Sequence, residues 1–235
     1  MLKVSKNAEG HPEIFHSIQG EGAKVGKPAV FLRLGLCNLK CTWCDTKYTW
    51  DWTVYKTQEY LIELSSEEIE REILNYNCKY LVVTGGEPLM QQKQVIPLLM
   101  DLKNQGFFLE IETNGTFLPD QRLFSIVDHW SVSPKLQNSG NSQSDREIEA
   151  VYKLFNSLNT CHFKYVMQSE TDLEEVDELI QKYDISPEKV ILMPEAENKA
   201  DLLERSRWLV EVCKSRGYRF SMRLQVLLWE NDRGK

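Results

Sequence analysis

The chain is 235 residues long, 42% hydrophobic and 10% aromatic, with a formal net charge of −7 at pH 7. That length supports one large α/β domain with a substantial core over residues 1–235, and the acidic balance argues against a sequence-independent grip on nucleic acid, which needs Lys and Arg in excess on some face. The opening MLKVSKNAEGHPEIF lacks the apolar core of a signal peptide, and no apolar run approaches the ~20 residues that cross a bilayer, so a cytoplasmic location with no membrane partner is expected.

Short runs rich in β-branched and aromatic residues alternate with stretches of helical period. In chain order the predicted strands are AVFLRL (29 to 34), KYLVVTGG (79 to 86), FFLEIETNG (107 to 115), WSVSP (130 to 134), FKYVM (163 to 167), KVILMPE (189 to 195) and YRFSMRL (218 to 224). Between them, Ser65-x-x-Glu68 and Thr171-x-x-Glu174 read as capping boxes, and Gly106 and Gly217 sit where helices end. The polar stretch LQNSGNSQSDR (136 to 146) reads as a mobile surface loop. Strands alternating with helices mean parallel βαβ units, and six or seven of them suit an incomplete β/α barrel with its site at the C-terminal strand ends.

Polar residues gather at those ends: Thr84-Gly85-Gly86-Glu87-Pro88, then Glu112-Thr113-Asn114-Gly115, then Ser133-Pro134-Lys135. Turn chemistry accounts for any one of them, but three in succession at one edge point to a shared ligand. Ahead of the second strand, Cys37, Cys41 and Cys44 place three of the six cysteines in a C-x3-C-x2-C pattern. Structural zinc needs a fourth Cys or His at short spacing, and His16 and His129 are far away in sequence. Three thiolates suit a [4Fe-4S] cluster with one iron open to an external molecule. Cys78, Cys161 and Cys213 are widely spaced and read as core thiols.

The triple-cysteine motif with Trp43 before its last Cys resembles the signature of the radical S-adenosylmethionine (SAM) superfamily, and TGGEP resembles that superfamily's second motif. The resemblance narrows to the 7-carboxy-7-deazaguanine synthases through SIQGEG (17 to 22), CDTKYTWD (44 to 51), ETNGT (112 to 116), SPK (133 to 135) and LLWENDRG (227 to 234). It implies an incomplete (β/α)6-type barrel, a [4Fe-4S] cluster, SAM and Mg2+ as cofactors, an external reductant such as flavodoxin or ferredoxin, and a homodimer. It also implies a lyase of queuosine and deazapurine biosynthesis. In that chemistry a 5'-deoxyadenosyl radical takes a hydrogen from carbon 6 of 6-carboxy-5,6,7,8-tetrahydropterin, and ring contraction with loss of ammonia gives 7-carboxy-7-deazaguanine.

By the same resemblance Cys37, Cys41 and Cys44 hold the cluster. SAM is expected to meet Trp43, Cys44, Asp45, Gly85, Gly86, Glu112, Asn114, Ser133, Pro134, Lys135, Met193, Pro194 and Glu195. The glycines admit close backbone approach, and the polar groups supply donors and acceptors. The pterin is expected against Ile18, Gln19, Gly20, Glu21, Arg33 and Thr84, with Arg33 suited to a bidentate grip on its carboxylate or, alternatively, paired with Glu21. Thr46 matches a Mg2+ ligand position, with helix capping as its other reading, and Asp45 suits a capping role. Many relatives carry His where this chain has Gln225; Gln keeps hydrogen bonding but does not titrate near neutrality, so Gln225 and the carboxylate of Lys235 are expected to bind rather than to exchange protons. Two other functions fit parts of the pattern: an activating enzyme of glycyl-radical type, which would act on a partner protein, and a non-enzymatic iron–sulfur protein that carries electrons or senses oxidants.

Overall fold

The structure, a computed structural model, describes residues 1–230 and Gly234. Six of the predicted strand runs form where their apolar character puts them: β3 (Pro28–Leu34), β5 (Tyr80–Gly85), β6 (Phe108–Thr113), β7 (His129–Val132), β8 (Cys161–Met167) and β9 (Val190–Pro194). They pair in parallel in that order, and β10 (Arg219–Phe220) continues the sheet beside β9. The sheet is open: its path runs β10-β9-β8-β7-β6-β5-β3, continues into two further strands, and does not close.

Three strands escaped the sequence reading, β1 (Leu2–Ser5), β2 (Ile14–Ile18) and β4 (Leu61–Leu64). All three pair antiparallel, β1 with β4 and β3, and β2 with β3. Four or five residues are too few to show a period above noise, and these strands exist because a neighbour completes their hydrogen bonds. The run at 218 to 224 is the reverse case. Only Arg219–Phe220 is strand, and the chain then turns into a short helix at Leu224–Trp229.

Alternation along each parallel strand separates two environments. Leu109, Ile111, Trp130, Val132, Phe163 and Tyr165 face the helices in the main core, where each buried side chain contributes about 1.5–3 kcal/mol. The helices of the described residues are α1 (Thr57–Tyr60), α2 (Ser66–Leu74), α3 (Gln92–Asn104), α4 (Gln143–Arg146), α5 (Glu149–Ser157), α6 (Asp172–Tyr183), α7 (Lys199–Arg216) and α8 (Leu224–Trp229). Of these, α2, α3, α5, α6 and α7 supply the core's helical partners, among them Ile73, Leu99, Phe155, Leu179 and Leu209. The opposite face, toward the lumen, carries Glu110, Glu112, His129, Ser131 and Lys164, all but Glu112 buried. This is unlike a packed apolar barrel interior.

Helix ends follow local chemistry with one exception. Ser65 and Glu68 form the expected capping box of α2, and Gly217, at φ 72°, ends α7. Thr171 forms none, because its backbone is already helical (φ −65°, ψ −26°). Asp172 takes over, its carboxylate accepting from the backbone N–H of Gln168 at 2.6 Å and of Ser169 at 3.1 Å.

The 136 to 146 stretch is also corrected. Leu136, Ser139 and Arg146 are buried. Arg146 donates to the carbonyl of Lys135 at 3.0 Å and pairs with Glu175, so the segment is a brace rather than a loose loop. Its Ser, Asn and Gly content reflects turns and caps, which polar composition alone does not distinguish from mobility. Among the described residues no helix is long and apolar enough to cross a membrane.

Candidate functional site

At the C-terminal ends of the parallel strands lies a cavity of about 590 Å³. It gathers nearly all the residues expected of the site: Ile18 to Glu21, Arg33, the three clustered cysteines, Trp43, Asp45, Thr46, Thr84 to Gly86, Glu112, Asn114, Ser133, Lys135, Met193, Glu195 and Gln225. Pro134 and Pro194 are absent from its lining, and Lys235 lies outside the described residues.

One wall is thiol and amide. The loop that leaves β3 is held by backbone bonds, from Leu36 N–H to the Thr49 carbonyl at 2.7 Å and from Thr42 N–H to the Ser139 carbonyl at 3.0 Å. Each sulfur meets a different N–H: Asn141 Nδ2 lies 3.3 Å from Cys41, Trp50 Nε1 3.4 Å from Cys44, and Asn114 Nδ2 3.9 Å from Cys37. Asn141 also accepts from Lys40 N–H at 2.9 Å, so the brace segment both shapes the loop and faces a sulfur. Burial pushes the Cys37 thiol up to about 12 and raises that of Cys41. Such thiols lose their protons when a metal takes the proton's place. Soft donors, each already facing an N–H, fit an iron–sulfur cluster. Among the described residues no three His, Cys, Asp or Glu side chains converge on a single-ion position, a test that does not bear on a cluster whose thiolates sit on separate irons.

Gly85 and Gly86 have a reason for lacking side chains that the sequence did not reveal. A Cβ on Gly86 would lie 2.0 Å from the Leu36 carbonyl oxygen, and one on Gly85 2.0 Å from that of Leu34, so both positions admit the root of the cysteine loop. Beside them Lys135 Nζ donates to the Ser133 carbonyl at 2.8 Å and hydroxyl at 3.0 Å, and it sits 5.7 Å from the centre of the Trp43 ring. Asn138 accepts from Trp43 Nε1 at 3.1 Å. Met193 is buried at the cavity edge, while Glu195 is paired with Arg205.

The other wall is charged. Glu21 pairs with Lys164 and with Arg223 and accepts from Gln225 Nε2. Burial would raise its pKa, but Lys164 and Arg223 outweigh that and hold the carboxyl well below the usual range. Arg33 pairs with Glu13 at 2.9 Å, and Tyr48 donates to the same carboxylate, so the expected alternative of an Arg33–Glu21 pair is not what forms. Asp45 pairs with Arg223 rather than capping. Thr46 has no capping bond either; its hydroxyl lies 3.6 Å from the Cys44 sulfur. Glu112 accepts from Thr84 at 2.7 Å and from Gln19 Nε2 at 3.1 Å, which groups it with the expected pterin residues. Gly20 makes room for the last helix, since a Cβ there would lie 2.0 Å from Gln225 Oε1.

Glu13, Lys164 and Arg223 were missed by sequence reasoning. The available signal was, for Lys164, a charge inside the apolar strand run FKYVM, since a lone charge in a buried strand needs a partner.

Comparison with known proteins identifies the family and the fold. The radical SAM superfamily model matches residues 34–183. A 7-carboxy-7-deazaguanine synthase of Pyrobaculum aerophilum is 36% identical over 225 residues, covering 95% of this chain and 96% of its own. That of Escherichia coli is 30% identical over 235 residues, covering 92% of this chain and 96% of its own. Among solved structures, QueE from Escherichia coli matches with a TM-score of 0.71 at 28% identity over 94% of each chain. Streptococcus suis SuiB bound to S-adenosylmethionine, at 18% identity and a TM-score of 0.56 over 85% of this chain and 54% of its own, shares the fold alone.

Proposed function

The chain belongs to the radical SAM superfamily and, within it, to the 7-carboxy-7-deazaguanine synthases, and we propose that it converts 6-carboxy-5,6,7,8-tetrahydropterin to 7-carboxy-7-deazaguanine with loss of ammonia, a step of queuosine and deazapurine biosynthesis. The observation that carries this reading is a single cavity with a wall of three thiols facing a wall of fixed charges. A glycyl-radical activating enzyme or an electron-transfer protein has no use for the second wall.

Cys37, Cys41 and Cys44 would hold the [4Fe-4S] cluster, and Trp43, Gly85, Gly86, Asn114, Ser133, Lys135 and Met193 would hold SAM. Cluster and SAM together supply the one-electron chemistry that generates the hydrogen-abstracting radical. The chain's own residues bind and orient. Gln19 and Glu112 present an amide and a carboxylate to the donor and acceptor edge of the pterin, with Thr84 between them. Arg33, fixed at Nε by Glu13, is the cation for the substrate carboxylate. Gln225 donates to Glu21 and so helps hold the charged wall, and because its amide does not titrate no proton transfer depends on it. Thr46 is the proposed protein ligand of Mg2+, whose other positions water and the substrate carboxylate would fill. An external reductant and a homodimeric assembly complete the proposal.

The test is anaerobic cluster reconstitution followed by product analysis with SAM, reductant, Mg2+ and the carboxytetrahydropterin. Formation of 7-carboxy-7-deazaguanine is the expected result. SAM cleavage without that product would point to another radical SAM substrate, and failure to bind SAM would leave only the electron-transfer reading.

A further inference from the structure

Below the pterin wall, a line of polar side chains crosses the lumen and takes no part in the chemistry described so far. It begins at the exposed Arg219 on β10, whose Nη1 lies 2.9 Å from His162 Nε2. It continues from His162 Nδ1 to His129 Nε2 at 3.0 Å, and from His129 Nδ1 to Glu110 Oε2 at 3.1 Å. The last approach is close without being a well-aligned hydrogen bond. Glu110 also accepts from Tyr80 and, at 3.3 Å, from Gln19 Nε2. His129 and Glu110 are 3% and 2% exposed, so no bulk water competes for these contacts.

The direction of every bond in the line follows from its outer end. A guanidinium only donates, so His162 Nε2 must accept. Burial, then His129 and Arg219, lower the pKa of His162 to about 4, which leaves it neutral with its single proton on Nδ1. That proton faces His129 Nε2, which must accept, so His129 carries its own proton on Nδ1 toward Glu110. Glu110 accepts from Tyr80 and Gln19, and the His129 Nδ1–H lies 3.1 Å from its Oε2. Because Gln19 Nε2 donates to both Glu110 and Glu112, the amide cannot flip, and its oxygen is turned to the Glu21 N–H at 3.2 Å.

We infer that Arg219, His162 and His129 are positioning residues for the pterin: a chain of two one-way hydrogen bonds turns the His129 ring so that its Nδ1–H is set 3.1 Å from Glu110, and this electrostatic contact helps fix the carboxylate to which the Gln19 amide donates. The chain is no proton path, since Arg219 at its outer end neither accepts nor gives up a proton. The groups facing His162 from the packed elements are His129 on β7, Arg219 on β10, Lys24 in the turn after β2, and Lys189 ahead of β9. All four oppose its protonation, so the orientation holds across the neutral range. The inference rests on the reading of Gln19 as a pterin contact.

Two measurements on the cluster-loaded enzyme test it. Nitrogen-15 NMR of the imidazole rings should show His162 protonated at Nδ1 and bare at Nε2, and His129 likewise; an Nε2-protonated His162 overturns the chain whatever the substrate. In kinetics, Arg219→Met and His162→Phe should each raise KM for the carboxytetrahydropterin about 2- to 12-fold, the loss of one hydrogen bond of ordinary strength. The kcat and the affinity for SAM should stay unchanged. His162→Asn, whose amide N–H replaces the Nδ1 donor, should restore most of the loss. Arg219→Met should also move the acid limb of the KM profile to higher pH, because one opposing cation is gone, which a merely structural role would not do. An unchanged KM in both variants, or a fall in kcat or SAM affinity of equal size, overturns the inference. Absence of pterin turnover in the unmodified enzyme would instead sink the proposed function, leaving the tautomers to decide the chain.

Discussion

The two walls of the cavity are built by opposite means. The thiol wall is held by backbone bonds and neutral amides: Asn38, Asn114, Asn138 and Asn141 all take part, and Asn114 Nδ2 donates to Asn38 Oδ1 at 3.0 Å. The pterin wall is held by ion pairs drawn from distant segments, Glu13 with Arg33, Glu21 with Lys164 and Arg223, and Arg223 with Asp45. A cluster of fixed composition needs a loop of fixed shape, which neutral amides provide here, Asn114, Asn138 and Asn141 reaching the loop across 77 to 100 positions. A pterin bearing a carboxylate and several ring N–H groups needs preset charges, and buried charges persist only in pairs.

The largest effect should come from the thiol wall. Cys37→Ala, Cys41→Ala and Cys44→Ala should each abolish SAM cleavage, while Cys78→Ala, Cys161→Ala and Cys213→Ala retain it. Iron content and 5'-deoxyadenosine yield are the measurements. Loss of the cluster in one of the second group would mean that the wall extends beyond its loop.

Next in size is the charged wall. Glu21→Gln leaves Lys164 and Arg223 without their shared carboxylate and should cost about 3–5 kcal/mol, as breaking a buried pair does. Denaturant unfolding would show it, and KM for the pterin should rise while iron content per folded protein holds. A parallel fall in iron would show that the walls are not independent.

A pH shift sharpens the same point. Glu21's folded pKa lies below the ordinary value of 4.5, so its stabilisation is complete above pH 4.5, fades progressively as pH falls from there, and is lost once pH has passed through the lower, folded value. Arg223→Gln removes one of the two opposing cations and should raise that folded value. Thermal unfolding between about pH 3 and pH 8 should then show a smaller acid loss than in the unmodified chain, one that levels off at a higher pH. Identical profiles would mean that Lys164 alone sets the Glu21 pKa.

Smaller effects are expected from the N–H donors on sulfur. Trp50→Phe and Asn141→Ala each remove one donor from a cluster thiolate, which should make the reduction potential more negative. A shift below the ~59 mV of one tenfold change for a one-electron couple is expected, read by EPR-monitored titration. The smallest effect concerns Thr46→Ala. With no capping bond to lose, unfolding should be nearly unchanged, and the difference should appear only as weaker Mg2+ dependence of turnover. A drop in stability with an intact Mg2+ titration would remove Thr46 from the metal.

Local chemistry was legible in the sequence wherever the causes are near in the chain. The cysteine spacing, the TGGEP strand end, the Ser65 capping box and the alternation of β3 to β9 with helices all depend on residues within one turn or one strand. The Thr171 box failed because a capping pattern does not reveal whether the backbone has already entered the helix. The 136 to 146 stretch failed because polar residues that bond to a neighbouring loop look, in one dimension, like residues that bond to water.

The remainder was decided by tertiary structure alone. Lys164 meets Glu21 across 143 positions, and Arg223 meets it across 202. Strand order and register put them face to face, and sequence composition contains neither. The sequence by itself determined which residues could ligate iron and which runs would become strands, because both follow from donor type and short-range period. Which charges share the lumen, which way Gln19 points, and why Gly20 and Gly86 have no side chain depended on chain segments that meet only after folding, where burial makes every unpaired polar group costly.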